Sequence, residues 1–227
     1  MVDLFTETEF ATLRDDVEAM LRGILDGLGR ATTGFTLERY HHHVDDAAHA
    51  DVVGRTRDLF QHDMPLEVVT MHERLGDVLG LRLTDTVVAP PMTLHVIVRL
   101  IRPGSTDFNP VHKDIYEAVD HLGIVPPLVN FWIPVAGCGP HSSLPVAPGS
   151  HLIPENQVLR TRAGSVVHGR KYRVNSILQW AGSRSLERAD VADGQALLFS
   201  SHLIHGLAVN NEPDTTRVAL EFRLIPA

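Results

Sequence analysis

The sequence predicts a mainly β fold: a double-stranded β-helix (jelly roll, cupin-like) core flanked by α-helices at its N-terminal end. Three observations predict it. Apolar residues at helical period are confined to the first third, short β-rich runs separated by Gly and Pro fill the rest, and several of those runs alternate apolar and polar residues. At 227 residues, with 44% hydrophobic and 21% charged content, the chain suits one domain with one sizeable core. Residues 1–80 would form the helical cover and 81–227 the jelly roll.

The first helix opens at a capping box, Thr6 with Glu9. Phe10, Leu13, Val17, Met20, Leu21, Ile24, Leu25 and Leu28 follow the helical period until Gly27 and Gly29 weaken it. A second, more polar helix is expected over 46–60. A third covers 65–79, with Leu66, Val69, Leu75 and Leu79 on one side. Strands are expected over 93–102, 128–135, 171–178, 195–200, 202–209 and 217–225.

Alternation says more than existence. In the first of these strands Leu94, Val96, Val98 and Leu100 oppose His95, Ile97 and Arg99; in the last, Val218, Leu220, Phe222 and Leu224 oppose Arg217, Ala219, Glu221 and Arg223. Between them, Phe131 and Ile133 oppose Asn130 and Trp132. If the apolar faces pack under the helices, the polar faces line a cavity, where a small-molecule site belongs.

Composition excludes several classes. A formal charge of −8 with no cluster of cations argues against nucleic acid as a partner. Met1 to Phe10 does not read as a signal peptide, and no apolar run approaches the length that spans a bilayer, which points to a cytoplasmic protein and no membrane partner. The single cysteine, Cys138, cannot form an internal disulfide; with no base beside it in sequence it reads as an inert thiol. Oligomeric state is not legible.

Two imidazoles and one carboxylate on one face of an octahedron commonly hold Fe(II) in oxygenases, and His-x-Asp in extended chain puts two such ligands on one side. With 14 His and 17 Asp in 227 residues chance gives about one His-x-Asp, and this chain has three, so position decides. His43-Val44-Asp45 and His49-Ala50-Asp51 lie in the helical region, where residues two apart diverge. The run His41, His42, His43 reads as a solvated polar stretch able to bind metal adventitiously. His112-Lys113-Asp114 comes after a strand and a loop, with Lys113 directed away from the metal. The third ligand comes from His202 or His205, which lie on opposite faces of a continuous strand. His205 is favoured by its downstream neighbours, since His205-Gly206 leads through Asn210 to Arg217, an arginine placed to clamp the distal carboxylate of a dicarboxylic acid.

Four ordered features then carry a family resemblance: His112-Lys113-Asp114; Asn130-Phe131-Trp132-Ile133-Pro134; Leu144-Pro145-Val146-Ala147-Pro148-Gly149-Ser150-His151; and Gly194 to Phe199 leading into His205-Gly206, Asn210 and Arg217. Over about residues 93–225 the sequence resembles the phytanoyl-CoA dioxygenase family of Fe(II)/2-oxoglutarate oxygenases. The resemblance implies Fe(II), 2-oxoglutarate and O2 as cofactor and co-substrates. By position it makes His112, Asp114 and His205 the iron ligands, Arg217 the partner of 2-oxoglutarate, and Trp132 an aromatic residue near it. It makes Pro148, Gly149 and Ser150 a family turn, with His151 structural. Many relatives carry Ser or Thr two residues after the arginine, where this chain has Ala219. Asp114 separates the chain from related halogenases, which carry a small residue there, and favours hydroxylation or another oxidative outcome.

His95, Arg99, Arg102 and Glu221 are the candidate cavity groups for a small-molecule substrate, and Asn130, also a cavity group, is counted with Arg217 and Trp132 as binding the co-substrate. The acidic balance is compatible with a cationic one such as an amino sugar or aminoglycoside, by analogy with bacterial natural-product tailoring. Two other readings remain open at this point: a cupin-type metal enzyme that needs no 2-oxoglutarate, and a non-catalytic jelly-roll binding module.

Overall fold

The computed structural model describes residues 1–59, 68–88, 91–116, 127–167, 169–181 and 185–227. Helix α1, Glu7–Gly27, starts where the capping box predicts: Thr6 Oγ1 accepts from the Glu9 backbone N–H, and Glu9 Oε2 accepts from the Thr6 N–H at 2.8 Å. Such a cap contributes about 1 kcal/mol. The helix stops at Gly27, and Gly29 takes the left-handed φ of 70° that reverses the chain. Its stripe Phe10, Leu13, Val17, Leu21 and Leu25 is buried. Helix α2 runs over Asp46–Thr56, capped by Asp45, and ends short of the expected residue 60, which lies outside the described residues. Helix α3 is Val68–Leu79; the expected start at 65 and Leu66 also lie outside them. Between α1 and α2 a 3-10 turn over Leu37–His42, not foreseen from the sequence, buries Leu37 and Tyr40.

The main antiparallel sheet has six strands: β1 (Val2–Asp3), β2 (Leu83–Thr84), β3 (Val96–Ile101), β4 (Val129–Ala136), β5 (Gln195–Ser200) and β6 (Arg217–Pro226). Its order is β1-β5-β4-β6, and the far edge of β6 carries β3 and then β2. Strand β6 is therefore bonded on both sides. The β4–β6 register slips between Val218 and Ala219, opposite Pro134, whose missing N–H a regular interior ladder would not tolerate.

The apolar faces of β3, β4 and β6 join one core with α1 and α3: Val96, Val98, Leu100, Phe131, Ile133, Val135, Val218, Leu220, Phe222 and Leu224 all belong to it. Each such buried side chain contributes about 2 kcal/mol. The opposite faces turn away from the helices, as the alternation predicts. Val146 of the short ladder Pro145–Val146 with Glu187–Arg188 packs with Trp132 and Ala219 of that face, and a further short ladder pairs Val158–Arg160 with Ile177–Trp180. No helix among the described residues is long and apolar enough to cross a membrane.

Two strand expectations are corrected. The run over 171–178 is two separate strands, Arg170–Tyr172 and Ile177–Trp180. Between them Asn175 Oδ1 accepts from Gly164 N–H and the Ser176 N–H donates to Thr161 Oγ1, so side chains replace the ladder. The run over 202–209 is not a strand. A turn precedes His205, Gly206 (φ 117°) and Leu207 (φ 53°) are left-handed, and only His205 itself pairs in β fashion.

Candidate metal centre

His112 and His205 face one another across a reciprocal backbone pair: His112 N–H donates to His205 O at 2.8 Å, and His205 N–H to His112 O at 3.0 Å. Three local features make this approach possible. Gly206 has no Cβ; one placed there would lie 2.3 Å from Pro110 O and 3.1 Å from His112 Nδ1. The Pro148-Gly149-Ser150 turn, with Gly149 at φ 76°, holds the other side, because buried Ser150 Oγ accepts the Ile204 N–H at 2.8 Å and Ala147 N–H donates to Ile204 O. Gly206 N–H in turn donates to Pro145 O. His205 thus reaches the site by a pinned turn, not by the continuous strand the sequence suggested.

Each ring is oriented from behind. His112 Nδ1 donates to Pro110 O at 2.7 Å and His205 Nδ1 to Leu203 O at 3.0 Å; a carbonyl only accepts, so each Nδ1 carries a proton and the neutral form of each ring presents its lone pair at Nε2. They converge on Asp114, with His112 Nε2 3.4 Å from Oδ1 and His205 Nε2 3.7 Å from Oδ2. The three donor atoms lie within 4.8 Å of one another, and all three residues are buried. Lys113 turns the other way and is buried against Glu155, Nζ to Oε1 2.7 Å.

Protonation suits a divalent cation. Burial, and then the neighbouring His112, push His205 down to about 4, leaving a neutral imidazole. Burial alone would raise the Asp114 carboxyl, but the Arg223 guanidinium and the two histidines outweigh it and hold the group well below the usual carboxylate range. Both carboxylate oxygens are also held, Oδ1 by Arg223 Nη2 at 2.9 Å and Oδ2 by Asn130 Nδ2. Two imidazole nitrogens and one ionised carboxylate, each braced by an outer partner, fit Fe(II).

These donors open into a pocket of about 550 Å³, counted out to its mouth, a size suited to small molecules. Arg217 lines the same pocket as Asp114. It is 1% exposed, donates from Nη1 to Ser142 O, and sits with its guanidinium 5.9 Å from the Trp132 ring centroid. No ion pair to it is formed among the described residues. Its Nε, Trp132 Nε1 and Asn130 Oδ1 are buried polar atoms without a hydrogen-bond partner. A buried cation with an unused N–H at the pocket wall is a ready carboxylate receptor, and so fits 2-oxoglutarate. Ala219 is fully buried and brings no hydroxyl.

The pocket lining also includes Arg99 and Glu221, which pair with each other, Arg99 Nη2 to Glu221 Oε2 2.8 Å. His95 and Arg102, expected as cavity groups, are not among its lining residues. His95 precedes β3, whereas the lining begins at Arg99; Arg102 comes after β3 and is tied to Asp107 and Asp46. Sequence reasoning missed Arg223 and Phe199. Arg223 stood on the polar face already identified, but only the register that sets it opposite Asn130 brings it to Asp114. Phe199 packs edge-on to His205, ring centroids 5.0 Å apart, and nothing in the sequence signals that. Cys138 is half-buried and desolvation pushes its thiol up to about 12, consistent with an inert group.

A jelly-roll sheet with a two-histidine, one-carboxylate pocket defines the class of non-haem oxygenases. The family described as phytanoyl-CoA dioxygenase matches residues 1–218, and the chain belongs to that family of Fe(II)- and 2-oxoglutarate-dependent oxygenases. Among solved structures it is similar to ThoJ, a non-haem monooxygenase in its apo form: 16% identity over 99% of this chain and 72% of that one, TM-score 0.53. It is also similar to HygX from Streptomyces hygroscopicus with nickel and 2-oxoglutarate bound, at 17% identity over 100% and 81%, TM-score 0.51. With AviO1 from Streptomyces viridochromogenes Tue57 it shares 18% identity over 68% of this chain, TM-score 0.43, and it spans 56% of that protein's length. At these identities the likeness is one of fold. No curated protein matches the sequence.

Proposed function

We propose that the protein hydroxylates a C–H bond of a small molecule, with His112, Asp114 and His205 holding Fe(II) and Arg217 anchoring the distal carboxylate of 2-oxoglutarate. The substrate class we favour is a bacterial natural product such as an amino sugar or aminoglycoside. One observation carries the reading: the buried donor triad and a buried, unpaired arginine line the same pocket. Iron with 2-oxoglutarate and O2 supplies the oxidising power when bound.

The chain's own residues supply position. The Nδ1 bonds fix both imidazoles, Asn130 and Arg223 fix the carboxylate, and Trp132 and Phe199 add aromatic surface to the lining. Arg99 and Glu221, paired beside them, are charged lining groups placed to meet substrate.

The test is anaerobic reconstitution with Fe(II), then O2, following succinate release with and without candidate substrates. Asp114→Ala and His205→Ala should reduce succinate to the level seen without protein, while His202→Ala stays active. Full turnover after exhaustive chelation would sink the proposal. Ala219, with its methyl in place of a hydroxyl, favours one second reading, a metal enzyme without 2-oxoglutarate. Product formed with no 2-oxoglutarate consumed would select it.

A further inference from the structure

The run His41, His42, His43 is not used by the pocket, and its three rings are not equivalent. His41 Nε2 and His42 Nε2 both point at one oxygen, Asp214 Oδ1, at 2.9 and 2.8 Å. His43 turns away, with its Nδ1 bonded to Ala31 O and its ring edge-on to Phe35. The first two are thus a convergent pair brought to a carboxylate more than 170 residues on by the 3-10 turn that sequence periodicity missed.

We infer that His41, His42 and Asp214 form a second metal site, at the surface, for a divalent cation of the zinc class. Their ligand atoms lie within 4.8 Å of one another. Two imidazole nitrogens and one carboxylate oxygen suit such an ion, with water completing the tetrahedron. The outer contacts that metal ligands need are in place. His41 Nδ1 is 2.9 Å from Thr216 Oγ1, a hydroxyl that rotates to accept, and Asp214 Oδ2 is held by Arg39. The carboxyl is ionised, held down to about 2 first by the His41 and His42 hydrogen bonds and further by Arg39.

The site would clip the Leu37–His42 turn to the segment leading into β6, three residues before Arg217. That junction is already made by Thr216 N–H donating to Glu38 O at 2.8 Å. A run of solvated histidines would bind metal indiscriminately; a built site would not.

Titration of the folded wild-type protein with Zn2+ alone, by calorimetry or equilibrium dialysis, should give two ions bound. One belongs to this cluster and one to the pocket. His42→Ala and Asp214→Asn should each leave one; Asp114→Ala should leave one and keep a Zn2+-dependent rise in melting temperature. Thr216→Val should weaken the cluster's affinity about tenfold. His43→Ala should change nothing. The inference is overturned if His42→Ala and Asp214→Asn still bind two ions, or if His43→Ala loses as much as His42→Ala, the mark of adventitious binding by the run. Loss of neither ion in Asp114→Ala instead counts against the pocket as a metal centre, so the two failures are separable.

Discussion

Strand β6 serves two environments from one stretch of chain. Val218, Leu220, Phe222 and Leu224 are buried against helices, while Arg217, Ala219, Glu221 and Arg223 look into the pocket or support its wall. Arg217 and Leu220 are equally inaccessible, yet one is a charge with an idle N–H and the other a close-packed hydrocarbon. Burial therefore does not mark a site. A buried polar face whose groups are not all satisfied does, because such groups cost free energy unless a ligand completes them.

Changes on the two faces should fail in different ways. Arg217→Met should have the largest effect, raising the 2-oxoglutarate needed for half-maximal succinate release about a hundredfold with the melting temperature held or raised. A large fall in melting temperature would mean that Arg217 is a structural residue. Leu220→Ala should do the reverse. A cavity at that packed position costs about 3 kcal/mol in denaturant unfolding, with metal affinity at the pocket unchanged at temperatures where the protein is folded. The smallest effect belongs to Ala219→Ser. A hydroxyl beside the clamp adds a hydrogen bond worth about 1 kcal/mol, so the 2-oxoglutarate requirement should drop about fivefold. No change there, with Arg217→Met also silent, would remove the co-substrate from this wall.

What the sequence made legible was local. Period-two alternation identified the two faces of β3, β4 and β6, and Thr6 with Glu9 fixed the start of α1, since each depends on neighbours in the chain. His112-Lys113-Asp114 stood out through its place after a strand. What stayed hidden depends on pairing. Arg223 reaches Asp114 only through its register with Asn130, and His42 reaches Asp214 only through the fold. Buried Asp107, bonded to Arg102 and 3.3 Å from His49, was equally invisible. It explains why Arg102 is occupied elsewhere. The premise that His202 and His205 share one continuous strand failed, since left-handed residues 206 and 207 end any extended run there, whereas the choice of His205 rested on its downstream neighbours Gly206, Asn210 and Arg217.

The mutual main-chain bonds between His112 and His205 have a mechanical consequence. Two donors carried on separate loops would drift independently and smear their spacing with every fluctuation. Here the two segments are riveted together at the residues that matter, so jostling of either loop translates both imidazoles as one body. The gap between their Nε2 atoms is then governed by bond lengths and a small hydrogen-bonded ring, and the mouth of the cavity is free to breathe without detuning it.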